Sequence, residues 1–190
     1  MIPLAVDFLA SAWPAVVVAA VLVLGVGAAV VVGVRRVGAR YRVEALRRAG
    51  VDALDPALFE ELAAELLRRD GFRQVRVVGG AGDGGVDVLG VAPDGRPYAI
   101  QCKYYSRPLG PGGVRDFVGA LQARRYREHQ GVLVISNRLT AAAMRAAREH
   151  DLVVIDRDRL ADWLLDAYRL GSAGRAPVWA ARLRPPSPWG

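Results

Sequence analysis

The sequence predicts an α/β domain preceded by one transmembrane helix, and two observations support this. An apolar run without a charged residue extends from Trp13 to Val34, near one end of the chain. Beyond it, helical segments alternate with short strand-like segments in the order α-β-β-β-α-β-α-β, followed by a last helix. A chain of 190 residues has room for one such domain, typically about 100–150 residues, and an appendage.

The apolar run is long enough to cross the roughly 30 Å of hydrocarbon in a bilayer as a helix. A cleaved signal peptide would carry positive charge ahead of its apolar run, whereas the only ionisable side chain there is Asp7. A buried core helix is the alternative, which the uninterrupted length disfavours. The positive-inside rule places the N-terminus outside and the rest of the chain in the cytoplasm, at the inner membrane. The arginines that decide this orientation are Arg35, Arg36, Arg40, Arg42, Arg47 and Arg48.

The composition divides the chain into four segments. Residues 1–36 are expected to form the membrane anchor, and residues 37–54 a basic juxtamembrane linker or helix lying against anionic headgroups. Residues 55–170 form the predicted folded domain. Residues 171–190 are rich in proline and have no periodicity, so a disordered tail is expected there.

The folded domain opens with a helix and three strands. Asp55 is expected to be the N-cap, with Pro56 in the first turn, and the helix extends through about Arg69. The turn sequence Pro93-Asp94-Gly95 separates the second strand from the third. The three predicted strands are Gln74–Val78, Val86–Val91 and Tyr98–Tyr104.

The second half of the domain alternates helices with short, continuously apolar strands, which are typical of a parallel sheet buried on both faces. A loop rich in proline and glycine, residues 108–113, leads into the first helix of this half. Thr140 is expected to cap the Ala-rich second helix. The predicted helices are Val114–Arg127, Thr140–His150 and Arg159–Arg169, and the strands are Gly131–Ser136 and Leu152–Ile155.

Polar side chains interrupt the second and third predicted strands. Alternate residues of a strand share a face, so Gln101 and Lys103 point the same way. A three-residue loop, residues 94–96, would set Asp87 opposite Lys103 on that face. A two-residue loop, residues 94–95, would shift the register by one residue and turn Asp87 away.

Asp87 is a carboxylate within an apolar run, and burying it is costly unless a cation meets it. An ion pair with Lys103 is one explanation, and a metal site is the other. The glycine-rich segment ahead of it, residues 79–85, could bring backbone N–H groups close to a phosphate. Within that segment, Asp83 could reach the site or cap the turn.

The helix that opens the domain supplies another candidate carboxylate. Glu60 borders the apolar stripe of this helix, whereas Glu61 lies on its solvated side. Together with Asp87 and the amide oxygen of Gln101, Glu60 would form an oxygen-only site suited to Mg²⁺ or Mn²⁺. Lys103 could orient a water or stabilise charge on a phosphate.

Three segments together resemble the Mrr-like branch of the PD-(D/E)xK nucleases. They are Phe59-Glu60, the Gly-Asp-Gly-Gly-Val-Asp segment at residues 82–87, and Gln101-Cys102-Lys103. The resemblance extends from about Pro56 to Leu165 and includes Ile135-Ser136-Asn137. It implies a restriction-endonuclease-like core, and the combination of motifs is far more specific than any one alone.

The resemblance also implies roles for individual residues. Asp87 and Lys103 correspond to catalytic residues of the family, and Glu60 to a residue that supports the metal site. Gln101 stands where the family usually has an acidic residue, and a neutral amide binds Mg²⁺ less strongly than a carboxylate. The implied activity is hydrolysis of DNA phosphodiester bonds with Mg²⁺ or Mn²⁺, in restriction, defence or DNA processing.

The expected partners are DNA and the membrane. A formal net charge of +7 favours a polyanionic partner, and Gly25 and Gly33 leave a homodimer open. Two alternative functions remain. One is a membrane-tethered DNA-binding module with weak or no catalysis. The other is a membrane interaction protein whose basic linker binds lipid and whose α/β domain recruits a partner. The residues expected to contact DNA are Asp83, Gly84, Gly85 and Arg107.

Overall fold

The computed structural model describes residues 3–79 and 85–171. They belong to two compact units, one ending at Tyr41 and the other starting at Arg42. The predicted tail beyond residue 171 lies outside the described residues, as do Asp83 and Gly84. In chain order the elements are α1 (Pro3–Arg48), a 3₁₀ turn (Val51–Ala53), α2 (Pro56–Arg69), β1 (Arg73–Val77), β2 (Val88–Val91), β3 (Pro97–Lys103), α3 (Pro111–Leu121), β4 (Gln130–Ile135), α4 (Ala141–Glu149), β5 (Val153–Ile155) and α5 (Arg157–Leu164).

α1 contains the predicted membrane span. Its segment Val16–Arg48 is long and apolar enough to cross a membrane, and none of its most apolar stretch is buried within the chain. Val23 and Leu24, for example, are 71% and 73% exposed. Its length and its composition support the predicted span. The helix ends before Gly50, whose φ of 62° lies in the left-handed region that glycine favours.

The five strands form one sheet in the order β1-β2-β3-β4-β5. The first three pair antiparallel, whereas β3, β4 and β5 pair parallel. Parallel neighbours need a crossover connection, and α3 and α4 supply the two crossovers. The predicted α/β architecture and the predicted order of its elements are confirmed.

Two apolar layers cover the faces of the sheet. In the first layer, Phe59 of α2 and Trp163 of α5 pack against Ile100 of β3. In the second, Phe117 of α3 packs with Leu133 of β4. Successive residues of β4 enter opposite layers, which explains why its sequence is continuously apolar.

The segment that follows the apolar part of α1 packs on the α/β domain. Leu46 and Val51 are 4% and 0% exposed and belong to the first apolar layer. The guanidinium of Arg42 donates to both carboxylate oxygens of Asp162 in α5, at 2.7 and 2.8 Å. Residues predicted as a basic linker therefore contribute to the core of the second unit.

The connection between β2 and β3 differs from both predicted loops. Residues 93–95 form the turn, and the N–H of Ala92 donates to the C=O of Arg96 at 2.9 Å. Gly95 has a φ of 88°, which side-chain-bearing residues rarely adopt. The Asp94 carboxylate accepts from the N–H of Arg96 at 3.1 Å and stabilises the turn. The loop therefore starts one residue earlier than the predicted three-residue loop.

This turn places Asp87 differently along β3. Val88 pairs with Ile100, so Asp87 comes level with Gln101 and not with Lys103. The partner of Asp87 thus moves by two residues along β3, and a shift by an even number of residues leaves each side chain on the same face of the sheet. The regular pairing of β2 with β3 begins at Val88. Asp87 lies just outside it, and its N–H donates to the C=O of Ile100 at 2.8 Å.

Two helices also have bounds that differ from the prediction. α3 covers Pro111–Leu121 and not Val114–Arg127, since Pro111 occupies its first turn. α5 covers Arg157–Leu164 and not Arg159–Arg169. Its N-cap is Asp156, whose carboxylate accepts a backbone N–H at 3.0 Å, and this cap was missed in the sequence.

Candidate active site

Asp87 is held between two strands by its backbone and its side chain. Its C=O accepts from the N–H groups of Val78 at 2.8 Å and Gly79 at 3.2 Å, and its own N–H bonds to β3. Its carboxylate Oδ2 accepts from the backbone N–H of Cys102 at 2.6 Å. The residue is half-buried. The position of this carboxylate is therefore set by the sheet itself.

Gln101 is the most deeply buried polar residue of the site, with 3% exposure. Its Nε2 donates to the C=O of Gly85 at 2.6 Å. Its Oε1 is buried and has no hydrogen-bond partner in the part of the chain that the structure describes. Gly85 has a φ of 87°, and a Cβ there would lie 2.8 Å from Nε2. A glycine is thus needed for the close approach of these two residues.

Glu60 reaches the same region from α2. It is half-buried, whereas its neighbour Glu61 is exposed, as the helical pattern predicted. A Cβ on Gly79 would lie 2.6 Å from Oε2 of Glu60, so the carboxylate lies against the glycine-rich segment. The absence of a side chain at Gly79 makes room for it.

Cys102 shows that these groups share one electrostatic environment. Burial raises the pKa of its thiol well above the ordinary value, and the nearby carboxylates of Asp87 and Glu60 raise it further. The ammonium of Lys103 acts in the opposite direction. Two carboxylates and one ammonium therefore lie within electrostatic range of the same sulfur.

Lys103 ends β3 and is half-buried. Its Nζ lies 6.0 Å from the centroid of the Tyr105 ring. The ammonium thus lies close to the Tyr105 ring and within electrostatic range of the Cys102 thiol.

The structure thus brings four of the predicted site residues into one region, namely Glu60, Asp87, Gln101 and Lys103. Gly85 lies against the Gln101 amide. Arg107 lies exposed in the loop between β3 and α3. No three His, Cys, Asp or Glu side chains form a metal-binding group among the described residues. The oxygen donors are instead two carboxylates and one amide.

Two residues near the site were not predicted as functional. Ser136 is a polar residue with 6% exposure at the end of an apolar strand, and that interruption was the available signal. Tyr105 is 47% exposed directly beyond β3. An exposed aromatic residue next to the Gln101-Cys102-Lys103 segment carries no distinctive sequence pattern, so only the structure shows its exposure.

The comparison with protein families decides the identity of this domain. The family model described as restriction endonuclease, of the Mrr catalytic type, matches residues 51–164, well over half of the chain. The chain belongs to the restriction endonuclease family. The resemblance found in the sequence is therefore confirmed, and the folded part is an endonuclease domain.

One of the similar solved structures shows the fold of this restriction endonuclease family member. The DNA modification-dependent restriction endonuclease AspBHI matches with a TM-score of 0.50 and 18% identity over 68% of this chain and 35% of that chain. The MspJI restriction endonuclease in complex with a 27-mer oligonucleotide matches with a TM-score of 0.42 and 21% identity, over 66% of this chain and 30% of that chain. A repair endonuclease from Pyrococcus abyssi matches with a TM-score of 0.37 and 22% identity, over 50% of this chain and 44% of that chain. The chain spans less than half of each of these proteins. No curated protein matches it.

Proposed function

We propose that the chain is a metal-dependent DNA endonuclease tethered to a membrane. The observation that carries this proposal is the buried Gln101 Oε1, which has no partner among the described residues, in the same region as the Asp87 carboxylate and the Lys103 ammonium. A buried oxygen without a hydrogen bond costs about 1–3 kcal/mol. Such a cost is expected where a ligand completes the site.

The donor set fits a hard divalent cation. Carboxylate and amide oxygens are the ligands that Mg²⁺ and Mn²⁺ prefer, and Glu60, Asp87 and Gln101 would supply them. When bound, the cation would stabilise the negative charge that develops on the phosphate. Because the Gln101 amide is neutral, these three ligands carry one negative charge fewer than three carboxylates would.

The chain's own residues would position the reacting groups. Lys103 would bind a non-bridging phosphate oxygen, because its ammonium is a compact charge on a flexible stem. Asp87 is anchored by the Cys102 N–H, which sets the direction of its carboxylate toward the site. In the reaction a water oxygen bonds to phosphorus, one phosphodiester P–O bond breaks, and the leaving oxygen takes up a proton. Fixed charges of this kind act mainly by positioning and by stabilising the transition state.

A cleavage assay on the full chain in detergent micelles tests this proposal. Plasmid DNA, unmodified and methylated, is incubated with Mg²⁺ or Mn²⁺ and wild-type protein, Lys103→Met or Asp87→Asn. We expect cleavage by the wild type and its loss in both variants. Glu60→Gln and Glu61→Gln form a matched pair, and we expect only the first to slow cleavage. Full activity in Lys103→Met would exclude the proposed role of the ammonium.

Membrane tethering rests on α1 and on the charges that follow its apolar part. The helix is long and apolar enough to span, and the arginine-rich flank favours a cytoplasmic endonuclease domain. Protease digestion of spheroplasts and of inverted inner-membrane vesicles tests the orientation. We expect the domain to be digested in inverted vesicles and protected in spheroplasts. Recovery of the full chain in the soluble fraction would contradict the tether.

A catalytically inactive DNA-binding module is the second candidate. The observation that favours it is the neutral Gln101 at a position where this family usually carries an acid. DNA binding that weakens steeply with salt, without cleavage under any of the above conditions, would support this candidate. The expected DNA contacts in the described region are Gly85 and Arg107.

A further inference from the structure

The backbone directly after Lys103 is fixed by one buried serine. The N–H of Tyr105 donates to Oγ of Ser136 at 2.9 Å, and the Ser136 hydroxyl donates to the C=O of Tyr105 at 3.1 Å. The N–H of Ser136 donates to the C=O of Lys103 at 3.1 Å. Ser136 is 6% exposed. Both backbone polar groups of Tyr105 are thus held in place by the end of β4.

Ser136 is itself supported from α5 and from the 3₁₀ turn. The Arg157 guanidinium donates to the C=O of Ser136 at 3.1 Å, and the Arg157 N–H donates to the C=O of Asn137 at 2.9 Å. The same guanidinium donates to both carboxylate oxygens of Asp52, each at 2.7 Å. The position of the Tyr105 backbone is therefore determined by a continuous hydrogen-bonded network.

The Tyr105 side chain is uncovered although its backbone is fixed. Its neighbour Tyr104 packs against Phe59 with ring centroids 5.6 Å apart, whereas Tyr105 is 47% exposed. Fixing the backbone of an aromatic residue before binding reduces the backbone conformational entropy that is lost when a partner covers its ring. The ring also lies beside the Lys103 ammonium, at 6.0 Å.

We infer that Tyr105 stacks on an unpaired nucleobase next to the phosphate bound by Lys103. This inference rests on the proposed endonuclease function. The 6.0 Å separation of ring and ammonium keeps the ring within reach of a nucleotide next to the phosphate that Lys103 would bind. In a duplex both faces of a base are covered by its neighbours, and an aromatic side chain reaches them only when the base leaves the stack. The preferred substrate is therefore DNA with an unstacked base beside the bond that is cut.

Binding measured without cleavage tests this inference. The full chain in detergent micelles is titrated, without divalent metal, into a paired duplex and into the same duplex carrying one unpaired 2-aminopurine. Wild type and Tyr105→Phe should bind the unpaired site on the order of tenfold more tightly than the duplex, and should change the 2-aminopurine fluorescence through stacking. Tyr105→Leu should lose both effects. Tyr41→Leu removes another exposed tyrosine, on α1, and should behave as wild type.

The possible outcomes separate the inference from the proposed function. If Tyr105→Leu keeps the preference, an apolar contact or another residue is responsible and stacking by Tyr105 is wrong. If wild type binds the two DNAs equally, the inference fails while the endonuclease proposal stands. If wild type binds neither DNA, the proposed function itself fails. A preference lost in Tyr105→Leu and kept in Tyr105→Phe supports the stacking contact.

Discussion

Replacing Gln101 by glutamate tests whether the unpartnered amide oxygen is a metal ligand. The Gln101 amide donates to the C=O of Gly85 at 2.6 Å and leaves Oε1 without a partner among the described residues. A glutamate has nearly the same length but, when ionised, no donor. It removes this hydrogen bond and adds a charge at a position that is 3% exposed. We therefore expect Gln101→Glu to be less stable without metal and to bind the metal more tightly.

The two effects oppose each other and are of similar size. Loss of the hydrogen bond to the Gly85 C=O lowers the free energy of unfolding by about 0.5–1.5 kcal/mol. In a domain of this size each 1 kcal/mol corresponds to about 2–4 °C in Tm. A tenfold tighter metal dissociation constant adds about 1.4 kcal/mol at saturating metal. Saturating metal should therefore raise the Tm of the variant by about 3–6 °C more than that of wild type.

Calorimetry of the full chain in detergent micelles, titrated with Mg²⁺ or Mn²⁺, measures both effects without any cleavage assay. Gln101→Met removes the oxygen at nearly constant length, and its metal-induced rise in Tm should be smaller than that of wild type. Gln122→Glu adds the same charge at the exposed C-terminal end of α3, and it should follow wild type.

An identical metal-induced rise in Tm for wild type, Gln101→Glu and Gln101→Met would show that this side chain is not a ligand. A rise that occurs in Gln101→Glu but is absent from wild type would show that the amide does not bind the cation. The inactive DNA-binding module would then become the better explanation.

Three further predictions concern the support of the site. A fragment starting at Asp55 should have a free energy of unfolding about 3–6 kcal/mol lower than one starting at Arg42, because it lacks the buried Leu46 and Val51 side chains; urea unfolding of both fragments checks this. Gly85→Ala should cost about 1–3 kcal/mol through backbone strain and also weaken metal binding, because its Cβ would displace the Gln101 amide. Gly95→Ala, with a φ of 88° and open space around it, should show the strain alone in the same calorimetry. Burial raises the pKa of Asp70 above 3.8, so its contribution to folding is present at low pH and is lost as pH rises through the raised pKa. Asp70→Asn should remove this slope from a plot of unfolding free energy against pH, and an unchanged slope would contradict the shift.

Signals confined to a few neighbouring residues predicted helix starts correctly. The carboxylate of Asp55 accepts from the N–H of Leu58 at 2.8 Å, and the Thr140 hydroxyl accepts from the N–H of Ala143 at 3.2 Å. Such caps depend only on local geometry, so the sequence contains all of the necessary information. The continuous apolar runs of β4 and β5 were equally informative, because burial on both faces requires them.

The register of the β2–β3 hairpin shows where local signals become insufficient. The turn sequence was found, but it permits loops that differ by one residue in their start. Closure by Ala92 and Arg96 depends on which residue takes the positive φ, and Gly95 takes it. The correct partner of Asp87 follows from that choice, so the residues of the site were predicted while their alignment was not.

Contacts between distant segments were beyond the reach of the sequence. Asp70 follows α2 and has the sequence pattern of an ordinary helix end, yet its carboxylate accepts from Trp163 Nε1 and from the N–H of Leu170, each at 2.7 Å. These partners lie more than ninety residues away along the chain. The hydrogen bonds between Ser136 and Tyr105 are a second example of such a distant contact, because the two segments meet only once β3 and β4 have paired.

The chemistry of Lys103 gives a final argument for the site. It is the one lysine among 26 lysine and arginine residues in the chain. A compositional preference for arginine accounts for the other 25 and acts equally at position 103, so it does not explain this lysine. The planar guanidinium fork and the compact, rotatable ammonium differ in the phosphate geometry that they serve. The strand end is also fixed by the bond from Ser136 N–H to Lys103 C=O, at 3.1 Å. If the site needed only a positive charge, an arginine would supply it. The lysine is better explained by a compact ammonium that can stay bonded to one phosphate oxygen as negative charge develops there.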